Sequence, residues 1–152
     1  MIDPDRESAA SAVGVEVANK ALIERMHSEL VQGRDGSRVE QFFAPEFVSH
    51  SMPAPLTPDR VGARRFMEGV ADALPDLSVD IDVMVAEGDL VAVRSIMRGT
   101  HRRELMGVPP SGRRVAIDGI DILRIADGRI VEHWGLTNSG AKNCSTRLPS
   151  RP

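Results

Sequence analysis

Asp121 stands between Ile120 and Ile122 in the run IDGIDILRIADGRIVEHWGLTN, residues 117–138. A bare carboxylate is costly among apolar neighbours. Two readings account for it. Desolvation would raise its proton affinity into the range where one group can both take and return a proton. Alternatively, a backbone amide or an arginine such as Arg124 holds it ionised, and its role is structural. Spacing alone leaves both open. Four histidines could join it: His27, His50, His101 and His133. His50, in FVSHSMP, and His101, in GTH, stand at element ends, where a polar ring can reach a cavity mouth. Each could equally bond to nearby backbone. His27 reads as surface or helix filler. Simple alternation puts His133 on the strand face opposite Asp121.

Other chemistries lack their motifs. No histidine pair has zinc-binding spacing, and neither a GxGxxG nor a GxxxxGK[ST] loop occurs. No GxSxG elbow is present, and Cys144, the single cysteine, lies in a polar C-terminal stretch. A covalent nucleophile and an intrachain disulfide are therefore not expected. What remains is acid/base work without metal or cofactor: proton abstraction beside a carbonyl, or addition of water.

The elements that must hold these residues follow from periodicity. Residues 1–12 are polar and small, and are expected to be flexible. Val15, Ala18, Leu22, Met26 and Leu30 recur at helical spacing, and Gly33 stops the run. Ser37-Arg38-Val39-Glu40 fits a capping box for a short helix through Phe42 and Phe43, ended by Pro45. A third helix is expected from Thr57-Pro58, with Val61, Phe66, Val70 and Leu74 inward and Pro75 closing it. The period then changes. Leu77, Val79, Ile81, Val83 and Val85 alternate with polar residues, the mark of a strand with one wet face. Leu90 to Arg98 is a second strand, and residues 101–113 form a loop. Val115–Ala126 and Ile130–Leu136 make a hairpin across Asp127-Gly128. A two-residue loop would set Leu123 opposite Glu132 and Asp121 opposite Trp134. Helices followed by an antiparallel meander give an α+β fold, with N-terminal helices packed on a curved antiparallel sheet that can enclose a pocket. The domain spans residues 13–138, and a polar tail follows from Ser139.

Bulk properties set wide bounds. The chain has 152 residues, enough for one domain with a real core. The formal net charge is −3, so charge points to neither nucleic acid nor an anionic membrane. No apolar run approaches the ~18 residues of a membrane helix, and the N-terminus lacks the pattern of a secretory signal. A cytoplasmic protein acting on a small molecule is expected.

The segments EFVSHSMP, PDLSVDIDVMVAEGDLVAVRSIMRGTH, GVPPSGRRV and GIDILRIADGRIVEHW, in this order, resemble the SnoaL-like polyketide cyclases over about residues 15–138. The resemblance implies the cone fold of nuclear transport factor 2. It also implies a cofactor-free intramolecular aldol condensation that closes a ring of a polyketide. Asp121 matches the family's acid/base aspartate. By the same resemblance, His101, His50 and Asn138 could hold the enolate oxygen or orient the chain. Trp134, Phe66, Met67, Met84 and Met97 would form the apolar wall for a flat substrate. A homo-oligomer, dimer or tetramer, is implied too, and Ile120, Ile122 and Val131 on the hairpin's second face agree with it. Two alternatives remain on this scaffold. One is a different acid/base enzyme, an epoxide hydrolase or isomerase. The other is a non-catalytic ligand-binding or dimerisation module with Asp121 structural.

Overall fold

The computed structural model describes residues 4–138, with side-chain surroundings from residue 11 onward. The polar tail expected from Ser139, with Cys144, lies outside the described residues. The chain opens with helix α1 (Pro4–Arg25), so helical backbone begins well before the apolar spacing that starts at Val15. It continues without a break as a π-helical segment, Met26–Gln32. There the Gly33 amide donates to the carbonyl of Ser28, five residues back, at 3.0 Å. A Cβ at Gly33 would collide with the Glu29 carbonyl, so glycine is needed at this stop. A 3-10 turn, Gly36–Arg38, then leads into the short α2 (Val39–Phe42). The expected capping box at Ser37 is not formed and α2 has no side-chain cap. Asp35 caps the 3-10 turn instead, its carboxylate accepting from the Ser37 amide at 3.2 Å and the Ser37 hydroxyl at 2.5 Å. Those bonds, the hydroxyl first, hold the Asp35 carboxyl below its ordinary pKa.

Strand β1 (Phe43–Ser49) follows at once. Pro45 does not end a helix here. It lies inside an edge strand, where a missing amide is tolerated. Helix α3 (Arg60–Ala73) is capped by Asp59, whose carboxylate accepts from Gly62 N at 2.9 Å. The start at Arg60 leaves Val61, expected inward, 55% exposed in the first turn. Val70 and Leu74 are buried as the spacing indicated. Strands β2 (Ser78–Glu87), β3 (Leu90–Thr100), β4 (Arg114–Ala126) and β5 (Arg129–Asn138) form an antiparallel meander.

The sheet order is β1-β5-β4-β3-β2, and β1 pairs with β5 in parallel. The sheet is therefore mixed, which corrects the expectation of a wholly antiparallel one. The physical reason is the connection. β1 feeds the crossover helix α3, and the meander then runs from the far edge back to β1. β2 carries a bulge at Asp82, between the pairs Ile81↔Ser95 and Val83↔Arg94. Past it the faces exchange. Val83 and Val85, expected inward, are 52% and 59% exposed, whereas Met84 packs against the core.

The helices cover the concave face. One buried cluster joins Ile23, Met26 and Leu30 of the first helix to Phe42, Phe47, Val91, Val93, Leu123 and Ile130. A second gathers Val70, Ala73 and Leu74 of α3 with Leu77, Leu105 and Ile117. No helix among the described residues is long and apolar enough to cross a membrane.

Candidate active site

Between the helices and the concave face lies a cavity of about 400 Å³, lined by members of both clusters. Its wall is largely apolar and rich in methionine (Met26, Met52, Met67, Met97, Met106) and phenylalanine (Phe43, Phe47, Phe66). Polar side chains are few: His27, Ser51, Ser95, Asp121, His133 and Thr137. No lysine or arginine is among the lining residues.

The register of the β4–β5 hairpin decides what reaches this space. Ala126 pairs with Arg129 and Ile125 with Ile130, but Arg124 then pairs with Glu132, so Val131 is an extra residue. Beyond this bulge every side chain of β5 changes face relative to a regular hairpin. Asp121 lies opposite Gly135, not Trp134, and Ile122 takes Trp134 as its partner. The expected pairing of Asp121 with Trp134 is thus corrected. So is the demotion of His133, which shares the concave face with Asp121 and lies 2.8 Å from it, Nε2 to Oδ1. The signal was the doublet Ile130-Val131, which breaks alternation before Glu132.

The parallel pairing of β1 with β5 puts Ser49 beside His133. Ser49 is buried, and its Oγ is 2.9 Å from His133 Nδ1. The Ser51 amide donates to Ser49 Oγ at 3.3 Å. One assignment of hydrogens satisfies every member. Ser51 N–H donates to Ser49 Oγ, the Ser49 hydroxyl donates to Nδ1, and Nε2–H donates to the Asp121 carboxylate. This answers how the strand aspartate is tolerated: its partner is a histidine, not an arginine. Arg124 is on the opposite face, against Glu132 and Asp89.

Two glycines frame the carboxylate. A Cβ on Gly135 would stand 2.5 Å from Asp121 Oδ1 and 2.8 Å from His133 Nε2, so any side chain there would push the pair apart. A Cβ on Gly119 would meet Thr137 Cγ2 at 3.6 Å and Asp121 Oδ2 at 3.8 Å, ordinary contacts. Oδ1 is engaged, whereas Oδ2 has no protein partner among the described residues and faces the notch over Gly119. A carboxylate held at one oxygen and open at the other can accept a proton from a molecule in the cavity. Among the described residues, no cluster of His, Cys, Asp or Glu is arranged to hold a metal ion.

The other residues singled out by sequence distribute unevenly. Phe66, Met67 and Met97 line the cavity; Met84 does not, and packs into the larger core cluster. His50 and Trp134 are on the convex face, stacked on each other with ring centroids 4.9 Å apart. His50 Nε2 is 2.8 Å from Glu132. Asn138 is exposed at the end of β5, opposite Asp118. His101 is buried beside its loop, with Nδ1 3.4 Å from Ser111 Oγ, and is not among the lining residues. The fold does not bring His50, His101, Trp134 or Asn138 to Asp121. Their expected places at the cavity are corrected by the bulge at Val131 and by the ends of β1 and β3. Spacing does not single out Ser49, Gly119 or Gly135, and His27, which lines the cavity, reads from spacing as surface or helix filler.

Helices closed over one face of a bent sheet, with a cavity inside, define the α+β cone of the nuclear transport factor 2 type. The chain belongs to the SnoaL-like polyketide cyclase family, whose model matches residues 21–141. Among solved structures it is similar to TsrD from Streptomyces laurentii, with 27% identity over 80% of this chain and 89% of that one and a TM-score of 0.71. It is also similar to AclR from Streptomyces galilaeus, provisionally assigned as a hydroxylase, with 32% identity, 81% and 90% coverage and a TM-score of 0.69. IdmH from Streptomyces antibioticus, provisionally assigned as a polyketide cyclase, shows 33% identity, 79% and 91% coverage and a TM-score of 0.66. Among curated proteins none matches the chain.

Proposed function

We propose that the protein closes a ring of a polyketide by cofactor-free intramolecular aldol condensation, with Asp121 as the acid/base. The observation that carries this reading is the free Oδ2 of Asp121 in an apolar cavity, with Oδ1 held by His133. Oδ2 removes a proton from a methylene flanked by carbonyls. The enolate carbon attacks a second carbonyl carbon of the same chain, forming the C–C bond and leaving an alkoxide. The proton on Asp121 then returns to that alkoxide, so the product is an isomer of the substrate. His133 keeps the carboxylate oriented and offsets its charge, and Ser49 fixes the ring that does so. Met67, Met97 and Phe66 give the substrate a pliable apolar wall. The absence of lysine and arginine from the lining suits a neutral molecule, such as a polyketide whose terminal carboxyl is masked as an ester.

The test is a single-turnover assay with linear poly-β-ketone esters, read by mass and ultraviolet spectrum, on the native chain and Asp121→Asn. Ring closure at unchanged mass, lost in Asp121→Asn, is the expected result. A gain of 16 mass units instead would assign oxygen insertion, the activity provisionally given to AclR, and would overturn the cyclase reading.

A homodimer through the convex face belongs to the same reading. Val83, Ile120 and Leu136 are 52%, 54% and 81% exposed there, an apolar surface that association would cover. Light scattering at micromolar concentration should give at least twice the chain mass; a monomer would refute it.

A further inference from the structure

The cavity has a second polar pole, on the helix side. His27 is the second residue of the π-helical segment and lines the cavity with Met26 before it and Val31 beyond it. Its Nδ1 is 2.9 Å from the carbonyl oxygen of Ile23. A carbonyl can only accept, so Nδ1 carries a hydrogen, which in a neutral imidazole leaves Nε2 as the acceptor. No group among the described residues donates to Nε2, so that nitrogen is open to a ligand's hydroxyl. Widened π turns open a helix at functional positions more often than elsewhere. Here the turn leaves a half-buried ring, with the Nδ1 position fixed, at a wall rich in methionine and phenylalanine. Of the six polar side chains at the cavity, His133 and Asp121 bond to each other, and Ser51 accepts from Gly135 N at 2.8 Å. Ser95 and Thr137 sit on the sheet beside Gly119, on the same side as Asp121.

We propose that His27 is a substrate-positioning residue whose Nε2 accepts a hydrogen bond from a phenolic or enolic hydroxyl of the substrate. This rests on the polyketide reading of the cavity and adds the functional group the molecule must carry. A hydroxyl on His27 and an acidic methylene over Gly119 would define the two ends of the bound chain. The wrong fold of the chain would leave the hydroxyl facing thioethers, without a partner. Selectivity for one folding mode follows from that contrast.

Equilibrium dialysis of the full chain against flavone and 6-hydroxyflavone tests this. Both are neutral, flat and carbonyl-bearing, and they differ by one hydroxyl. The native protein should favour the hydroxylated probe by about fivefold to tenfold, the yield of one good neutral hydrogen bond. His27→Phe should bind flavone within about twofold of native affinity and lose the preference. His27→Gln, which keeps an acceptor, should retain part of it, and it serves if the phenylalanine variant does not fold. A preference that survives His27→Phe, or that disappears only in Asp121→Asn, would overturn the proposal by placing the hydroxyl elsewhere. Binding of neither probe would overturn the polyketide reading and this inference together. Normal binding without the hydroxyl preference would overturn only this one.

Discussion

β5 carries two histidine–carboxylate pairs of equal length on its opposite faces. His133 and Asp121 meet at 2.8 Å on the concave side, and His50 and Glu132 meet at 2.8 Å on the convex side. The difference between them is what the remaining oxygen does. Glu132 is saturated: Arg124 takes its second oxygen, and the arginine also lies 5.4 Å over the Trp134 ring on which His50 stacks. Asp121 keeps Oδ2 open toward an apolar cavity. Two pairs of one length thus differ in what they leave free. A saturated pair at a solvated surface adds little, about 0.2–1 kcal/mol by analogy with exposed ion pairs. A half-saturated pair facing a cavity is available to a reactant.

Mutations can break this contrast. Asp121→Asn keeps the shape and removes the proton acceptor, and should lower ring closure by about 10²–10⁴-fold. Dissociation constants for neutral probes should change less than threefold, measured by dialysis. Gly135→Ala forces the inner pair apart while leaving both partners in place. It should reduce turnover by at least about tenfold, with a lower melting temperature, because a part-buried hydrogen bond is lost. His133→Phe should lower kcat about tenfold to a hundredfold with KM nearly unchanged, as expected when a residue acts through the acid/base and not on substrate binding. Gly119→Ala meets only ordinary contacts, so the fold should be kept. The new methyl fills the space before Oδ2, and KM should rise several-fold for the bulkiest substrates first. His50→Ala on the convex face should leave kcat within about twofold and cost under about 1 kcal/mol in stability. If His50→Ala were as damaging to turnover as His133→Phe, the distinction between the faces would fail.

The smallest effect expected is on pH dependence. Hydrogen bonds hold three surface carboxyls below the ordinary 3.8: Asp35 by the Ser37 hydroxyl, Asp59 by the Thr57 hydroxyl, and Asp76 by the Thr100 amide. A depressed folded pKa contributes stability that is fully present above the unfolded value. That stability is lost as pH falls through the lower, folded value. Melting temperature should therefore be flat with respect to these groups above about pH 5 and fall below about pH 4. Asp59→Asn, which keeps a cap without the titration, should flatten part of that fall.

Local rules made much of this molecule legible. The helix before Gly33, the hairpin at Asp127-Gly128 and the isolated carboxylate at Asp121 all follow from propensity, turn chemistry and burial cost. The resemblance in GIDILR and EHW pointed to the family. The partners of Asp121 were not legible, for two reasons. A single extra residue, Val131, reverses the face of His133 and Trp134, and alternation counts straight through a bulge. Ser49 reaches His133 only because β1 pairs in parallel with the last strand, and Pro45, which reads as a helix end, hides β1. His27 reads as surface or helix filler because a helix at its regular period gives no sign of a π turn. These misses share one cause: each lies where regular backbone is interrupted, and the interruptions are what turn side chains toward the cavity.

The pairing of β1 with β5 also bears on when the site comes into being. The Ser49–His133 bond joins residues 84 apart in the chain, and loop closure on that scale comes late in folding because its entropy must be met before the contact rewards it. During synthesis, the first helix, α3 and the β2–β3 hairpin can form before the last strand has left the ribosome. The cavity would then lack His133, Gly135 and its floor near Asp121. A chain halted before Ile130 can present the apolar wall without the His133–Asp121 pair, so exposed methionine and phenylalanine are the hazard of an unfinished molecule.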